Sequence, residues 1–145
     1  MRRLLTYTTA LLVALAGTVA VAQKVTSPAE LDATMKRIGA AQGAVGKAIK
    51  SEAYADAKTN VATVKAALMD AENLWVTNKK DAQIQMSKDA IAKVTALETV
   101  LNAATVDQQA AFAAQKEVGG TCQACHKQSR VQNEDKTYSI APGVL

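Results

Sequence analysis

The sequence predicts an all-α protein, folded as an antiparallel up-down-up-down four-helix bundle. Four long segments carry apolar residues spaced three and four apart, which is the pattern of a helix that buries one face. The connections between these segments are short, and short connections favour antiparallel neighbours. Sustained period-two alternation, the pattern of a half-buried strand, does not occur after the N-terminal leader.

The first 22 residues are typical of a secretory signal peptide. Arg2 and Arg3 precede an apolar run over residues 4–20, and Ala20-Val21-Ala22 supplies the small-x-small cleavage pattern. The alternative is an uncleaved membrane anchor, which the threonines and Gly17 within the run disfavour. We therefore expect an exported, periplasmic protein that is cleaved after Ala22 and has no membrane association after cleavage.

Two helices with clear inward faces follow the leader. Ser27-Pro28-Ala29-Glu30 predicts the start of the first, with a capping box and a proline at the first helical position, and the helix runs to about Lys50. The second covers roughly 54–76. The inward residues of the first are Leu31, Met35, Ile38, Ala41, Val45 and Ile49, and those of the second are Tyr54, Ala57, Val61, Val64, Leu68, Ala71 and Trp75.

The third and fourth helices have weaker apolar stripes. The third runs from about Asp81 to Ala104, and the fourth from about Asp107 to Arg130 with Phe112 and Val118 facing inward. The helical domain thus spans 23–130. Residues 131–145 lose periodicity and are expected to form an irregular surface tail, in which Tyr138 and Ile140 are candidates to fold back over the bundle.

Composition excludes several classes of function. The leader removes two basic residues and no acidic ones, so the mature chain is nearly neutral and carries no charge pattern that predicts nucleic-acid binding. A single histidine and no nucleophile paired with a base give no support for an enzyme. Both cysteines lie in one motif, so none is left for a stabilising disulfide elsewhere.

That motif, Cys122-Gln123-Ala124-Cys125-His126, contains the only histidine of the chain. C-x-x-C-H is the attachment pattern of c-type haem, in which each thiol adds across a haem vinyl group and the imidazole binds the iron. Residues three and four apart share one face of a helix, so Cys122, Cys125 and His126 can all reach one haem. One covalent haem c is therefore the expected cofactor.

The motif has three alternative interpretations. A structural zinc site needs four ligands, and this chain offers only three Cys and His residues. A thioredoxin-like pair expects a βαβ context, which the pattern of helices does not provide. A disulfide between residues three apart closes a very short loop and constrains little.

Glycines mark two places near the predicted site. Gly39, Gly43 and Gly46 weaken the second half of the first helix or mark a face where another helix packs closely. Gly119-Gly120 precedes the motif. The absence of side chains at these two positions would let a porphyrin lie against the backbone. Alternatively, the two glycines would introduce a kink into the helix.

An exported four-helix chain with C-x-x-C-H near its C-terminus resembles the class II cytochromes c, which comprise the high-spin cytochromes c-prime and their low-spin relatives. The resemblance covers the whole mature chain in architecture, and residues 120–126 look like the family's haem helix. It implies a haem near the C-terminal end of the bundle. Arg130 lies where the family carries an arginine after the motif, and it is a candidate propionate contact. Ser129 lies where the family usually carries an aromatic residue.

The sixth iron position has three methionine candidates. Met35, Met69 and Met86 all fall near the haem end of the predicted bundle, so topology alone does not choose among them. Leu31-Asp32-Ala33-Thr34-Met35 looks like the arrangement of the low-spin branch of the family, which places a methionine ligand four residues after a leucine. The resemblance therefore implies His126 as proximal ligand and Met35 as distal ligand.

The expected function is electron transfer by a periplasmic c-type cytochrome. The alternative is a five-coordinate cytochrome c-prime that binds nitric oxide or carbon monoxide, and a helical module without haem is a third interpretation. The redox partner is not identified by the sequence. Relatives of this kind dimerise through their first two helices, which leaves a homodimer open.

Overall fold

The computed structural model describes residues 24–145, so the predicted signal peptide lies outside the described residues. Within this range the regular secondary structure is helical apart from one short antiparallel strand pair. The prediction of an all-α protein with four helices is confirmed. In chain order the elements are α1 (Pro28–Lys50), α2 (Tyr54–Thr77), α3 (Asp81–Leu101), α4 (Gln108–Ser129), β1 (Arg130–Gln132) and β2 (Tyr138–Ile140).

The helix bounds lie within three residues of the predicted ones. α1 ends at Lys50 as predicted, and α2 ends one residue beyond the predicted Val76. α3 stops at Leu101, three residues before the predicted end. The chain then turns, and Asp107 caps α4 by accepting hydrogen bonds from the N–H groups of Gln109 and Ala110.

Side-chain contacts show that neighbouring helices run in opposite directions. Arg37, in the first half of α1, pairs with Asp70 near the end of α2, with 2.7 Å between guanidinium and carboxylate. Gln83, near the start of α3, donates a hydrogen bond to Ser129 at the end of α4. α1 and α4 pack sparsely against each other, whereas the consecutive helix pairs pack extensively.

The predicted inward faces of α1 and α2 are the core of the molecule. Every member of the two faces is buried except Met35 and Tyr54, which are half-buried. Val118 is fully buried as predicted, whereas Phe112, predicted to face inward, is 38% exposed. α4 is rich in alanine, so its apolar periodicity was too weak to identify the buried face. A second buried cluster consists of Val25, Leu31, Ala71, Leu74 and Trp75.

The C-terminal tail is not wholly irregular. β1 and β2 pair with Arg130 opposite Ile140, and Asn133–Lys136 form the turn between them. Ile140 and Val144 pack against the cluster that contains Leu31 and Trp75. The tail therefore folds back onto the bundle, as expected for Ile140.

A capping box begins α1, as the sequence predicts. The Ser27 hydroxyl accepts a hydrogen bond from the Glu30 N–H, and the Glu30 carboxylate accepts from the N–H groups of Thr26 and Ser27 at 2.7 and 3.0 Å. The hydrogen bonds to the Glu30 carboxylate lower the pKa of Glu30 below its ordinary 4.5, and the bond from the Thr26 N–H has the largest effect.

We expect Glu30→Ala to destabilise the fold at neutral pH but not in acid. A carboxyl whose pKa is lower in the folded state adds stability above its unfolded pKa, and this stability is lost as the pH falls through the folded value. Urea unfolding of wild type and Glu30→Ala at several pH values should show a difference that closes below about pH 4.5. A difference that persists unchanged in acid would contradict this origin.

The Arg37–Asp70 pair supports a second stability prediction. The Asp70 side chain is 6% exposed and the Arg37 side chain 43%, so removing the arginine leaves a buried carboxylate without its partner. We expect Arg37→Ala to lower the free energy of unfolding by about 2–3 kcal/mol. The neighbouring Lys36 pairs with Asp32 at 2.7 Å in solvent, so Lys36→Ala is a matched control that should cost less than about 1 kcal/mol. Equal losses in the two variants would contradict the prediction.

Candidate functional site

The C-x-x-C-H motif lies on the last two turns of α4. The side chains of Cys122, Cys125 and His126 are half-buried, and both cysteines are free thiols. α4 continues as one helix through Gly119-Gly120. Spacings of three and four residues place the two thiols and the imidazole on one face of this helix.

That face borders a cavity of about 600 Å³, within the range typical of small-molecule and cofactor sites. The structure brings the predicted residues Met35, Cys122, Cys125 and His126 together on its wall. Met86 and the buried Trp75 also line it. Met69 does not line this cavity and is 54% exposed. The other apolar residues that line the cavity are Ile38, Leu68, Ala71, Ala90 and Phe112.

Three glycines shape the cavity wall. Gly39 and Gly43 on α1 and Gly119 on α4 line it, and a Cβ atom added at any of the three would meet no atom within 4 Å. The close-packing interpretation holds only for Gly46, where the Gln115 amide nitrogen lies 2.9 Å from the ideal Cβ position. The glycines at 39, 43 and 119 thus leave open space on the wall of the cavity.

Burial controls the protonation of the motif. Desolvation raises the pKa of both thiols, and for Cys122 the neighbouring Cys125 adds to the shift. Desolvation lowers the pKa of His126, and the positive charge of Arg130 lowers it further. At neutral pH the site therefore presents two protonated thiols and a neutral imidazole with a free lone pair, which is the form that binds a metal.

Two buried polar residues beside the motif were missed by sequence reasoning. Gln83 of α3 is 9% exposed and Ser129 is 6% exposed, and the Gln83 amide donates a hydrogen bond to the Ser129 hydroxyl at 3.4 Å. The Cys125 sulfur lies 3.8 Å from the same hydroxyl. Ser129 thus forms a polar bridge between α3 and α4.

Arg130, the candidate propionate contact, does not line the cavity. Its guanidinium carbon lies 4.0 Å from the centre of the Tyr138 ring. Two basic residues of α1, Lys36 and Arg37, also do not line the cavity. They form ion pairs with Asp32 and Asp70, respectively. None of the three cations therefore faces the cavity in this structure.

Comparisons with known proteins do not extend these observations: no protein-family model, curated protein or solved structure matches the chain. Among residues 24–145, no helix combines the length and apolar character needed to cross a membrane. Within the same range, no group of three or more His, Cys, Asp and Glu side chains is arranged to hold a metal ion.

Proposed function

We propose that this protein is a c-type cytochrome that carries electrons through one covalently attached haem, with His126 and Met35 as axial ligands. The observation that carries the proposal is the common cavity lined by Cys122, Cys125, His126 and Met35. An imidazole and a thioether are ligands that suit haem iron, and their combination occurs in electron-transfer cytochromes.

The character of the cavity supports a haem as its occupant. Its wall is mainly apolar and includes an aromatic side chain, Trp75, that is 2% exposed. Gly39, Gly43 and Gly119 leave open space on two helices, so a flat macrocycle can lie close to both backbones. A site for a small hydrated ion requires neither this volume nor this apolar lining.

Each residue has a distinct part in the proposed site. Cys122 and Cys125 would hold the haem through thioether bonds, each S–H adding across one vinyl group with no oxidant consumed. His126, whose pKa is lowered by burial, would bind the iron through its neutral imidazole. When bound, the haem supplies one-electron redox chemistry. Trp75, Leu68 and Ile38 exclude water from its surroundings, and the Met35 thioether favours a high reduction potential.

The wider setting of the proposal comes from the sequence. The motif and its place near the C-terminus resemble the class II cytochromes c, and the leader predicts a periplasmic location with cleavage after Ala22. The polypeptide performs no bond chemistry on a substrate in this role, so we propose an electron carrier and not an enzyme. Its partner is a redox protein.

Optical spectra of the mature protein, produced with haem attachment, test the proposal. A low-spin spectrum with a methionine-to-iron charge-transfer band in the oxidised form is the expected result. A high-spin spectrum that shifts on addition of carbon monoxide would contradict Met35 ligation, and the protein would then be a gas-binding cytochrome c-prime.

A further inference from the structure

One end of the cavity is polar. Gln42 of α1 and Gln115 and Lys116 of α4 line this polar end, and the Gln115 amide donates a hydrogen bond to the Gln42 carbonyl at 3.1 Å. Earlier on α4, the Gln108 amide donates to the Ile49 carbonyl at 2.9 Å, so α1 and α4 run antiparallel to each other. The polar end is therefore displaced along the bundle from the C-x-x-C-H motif, which lies at the end of α4.

Lys116 is the cation of this polar end. Among the residues that the structure describes, no other lysine or arginine lines the cavity, and no aspartate or glutamate does. Lys116 is exposed, and none of the ion pairs found between residues 24 and 145 includes it. The adjacent Glu117 pairs instead with Lys93 of α3 at 3.1 Å. The Lys116 ammonium is therefore available to an anionic group of a molecule bound in the cavity.

Lys116 shares one face of α4 with the motif. At spacings of three, three and four residues, the cavity is lined by Lys116, Gly119, Cys122 and His126. The helix rises about 9 Å from Lys116 to Cys122. Gly119 lies between them, and a Cβ atom added there meets no atom within 4 Å. A flat ligand attached at the motif can therefore cover Gly119 and reach Lys116 with its opposite edge.

We propose that Lys116 binds a propionate group of the haem and so orients the charged edge of the cofactor at the polar end of the cavity. This inference rests on the proposed covalent haem. Two neighbouring pyrrole rings of haem carry the vinyl groups, and the other two carry the propionates. Attachment through Cys122 and Cys125 therefore directs the propionate edge away from the motif. There the ammonium donates a charge-assisted hydrogen bond to a carboxylate.

Resonance Raman spectra and redox titration of the mature holoprotein test this role. The band of the propionate bending mode depends on the hydrogen bonds that the propionates accept, so we expect it to shift in Lys116→Ala. Removal of the cation leaves the propionate charge uncompensated, which favours oxidised iron. At one fixed potential, the ratio of reduced to oxidised protein should therefore fall about two- to fourfold below that of wild type. Lys116→Arg keeps a cationic donor and should retain the ratio of wild type.

Lys88 provides the matched control for the loss of one positive charge. It is exposed on α3 and follows Ser87, which lines the cavity, but Lys88 itself does not line it. Lys88→Ala should leave the propionate band in place and change the ratio less than Lys116→Ala does. An unchanged band in Lys116→Ala, or an equal shift in Lys88→Ala, would overturn this inference alone. A denatured chain that retains no haem would overturn the proposed function first, and this inference with it.

Discussion

We expect Met35→Ala to convert the low-spin iron of the proposed holoprotein into high-spin iron that binds carbon monoxide. Met35 is half-buried on α1 and lines the same cavity as His126. An alanine methyl has no donor atom, so the sixth iron position opens. We expect the methionine-to-iron charge-transfer band to disappear and the reduction potential to fall, because thioether ligation raises it. Optical spectra with and without carbon monoxide measure the change.

The other two candidate methionines provide matched controls. Met86 lines the cavity, and Met69 is 54% exposed and does not line it. Met86→Ala and Met69→Ala should both keep low-spin spectra. An unchanged spectrum in Met35→Ala, or conversion in Met86→Ala alone, would show that Met35 is not the ligand.

Gly43→Leu should largely prevent haem incorporation while stabilising the chain without haem. Gly43 lies inside α1 and lines the cavity, and an added Cβ meets no atom within 4 Å. The Cβ atom of a side chain introduced here therefore meets open space on the cavity wall. Overpacking of this kind costs about 1–3 kcal/mol in the haem-bound fold, so we expect a clear fall in the fraction of chains that acquire covalent haem. Absorbance per chain measures it.

Two further variants separate volume from helix propensity. Gly43→Ala should stabilise the helix by about 1 kcal/mol and leave the haem content near that of wild type. Ala40→Leu places the same bulky side chain on an exposed position of α1 that does not line the cavity, and it should also leave haem content unchanged. Normal haem content in Gly43→Leu would show that the cavity is not the haem site.

The four helices were predictable because their signals are local and repeated. Ser27, Pro28 and Glu30 identify the start of α1, and the inward faces of α1 and α2 follow a regular spacing of three and four. On α4 the same reasoning identified the helix and the buried Val118 but not the exposure of Phe112, because alanines there replace large apolar residues. The exposure of a single aromatic side chain depends on how closely neighbouring helices approach. The spacing of apolar residues along one helix carries no information on that distance.

The hairpin and the polar bridge were missed for a different reason. Strands of three residues are too short for alternation to appear, and the burial of Gln83 against Ser129 depends on contacts between distant residues. The motif residues of the candidate site were recognisable from spacing alone. The sequence left three methionines open, and only the fold separates the exposed Met69 from Met35 and Met86 on the cavity wall.

The central claim is that haem is covalently bound to Cys122 and Cys125. The most direct test is the intact mass of the denatured mature chain, produced by export together with the haem attachment machinery, followed by alkylation and peptide mapping. The account predicts one added haem on the peptide that spans 122–126, with both cysteines resistant to alkylation. A chain with the mass of the polypeptide alone, and with both thiols alkylated, would contradict it.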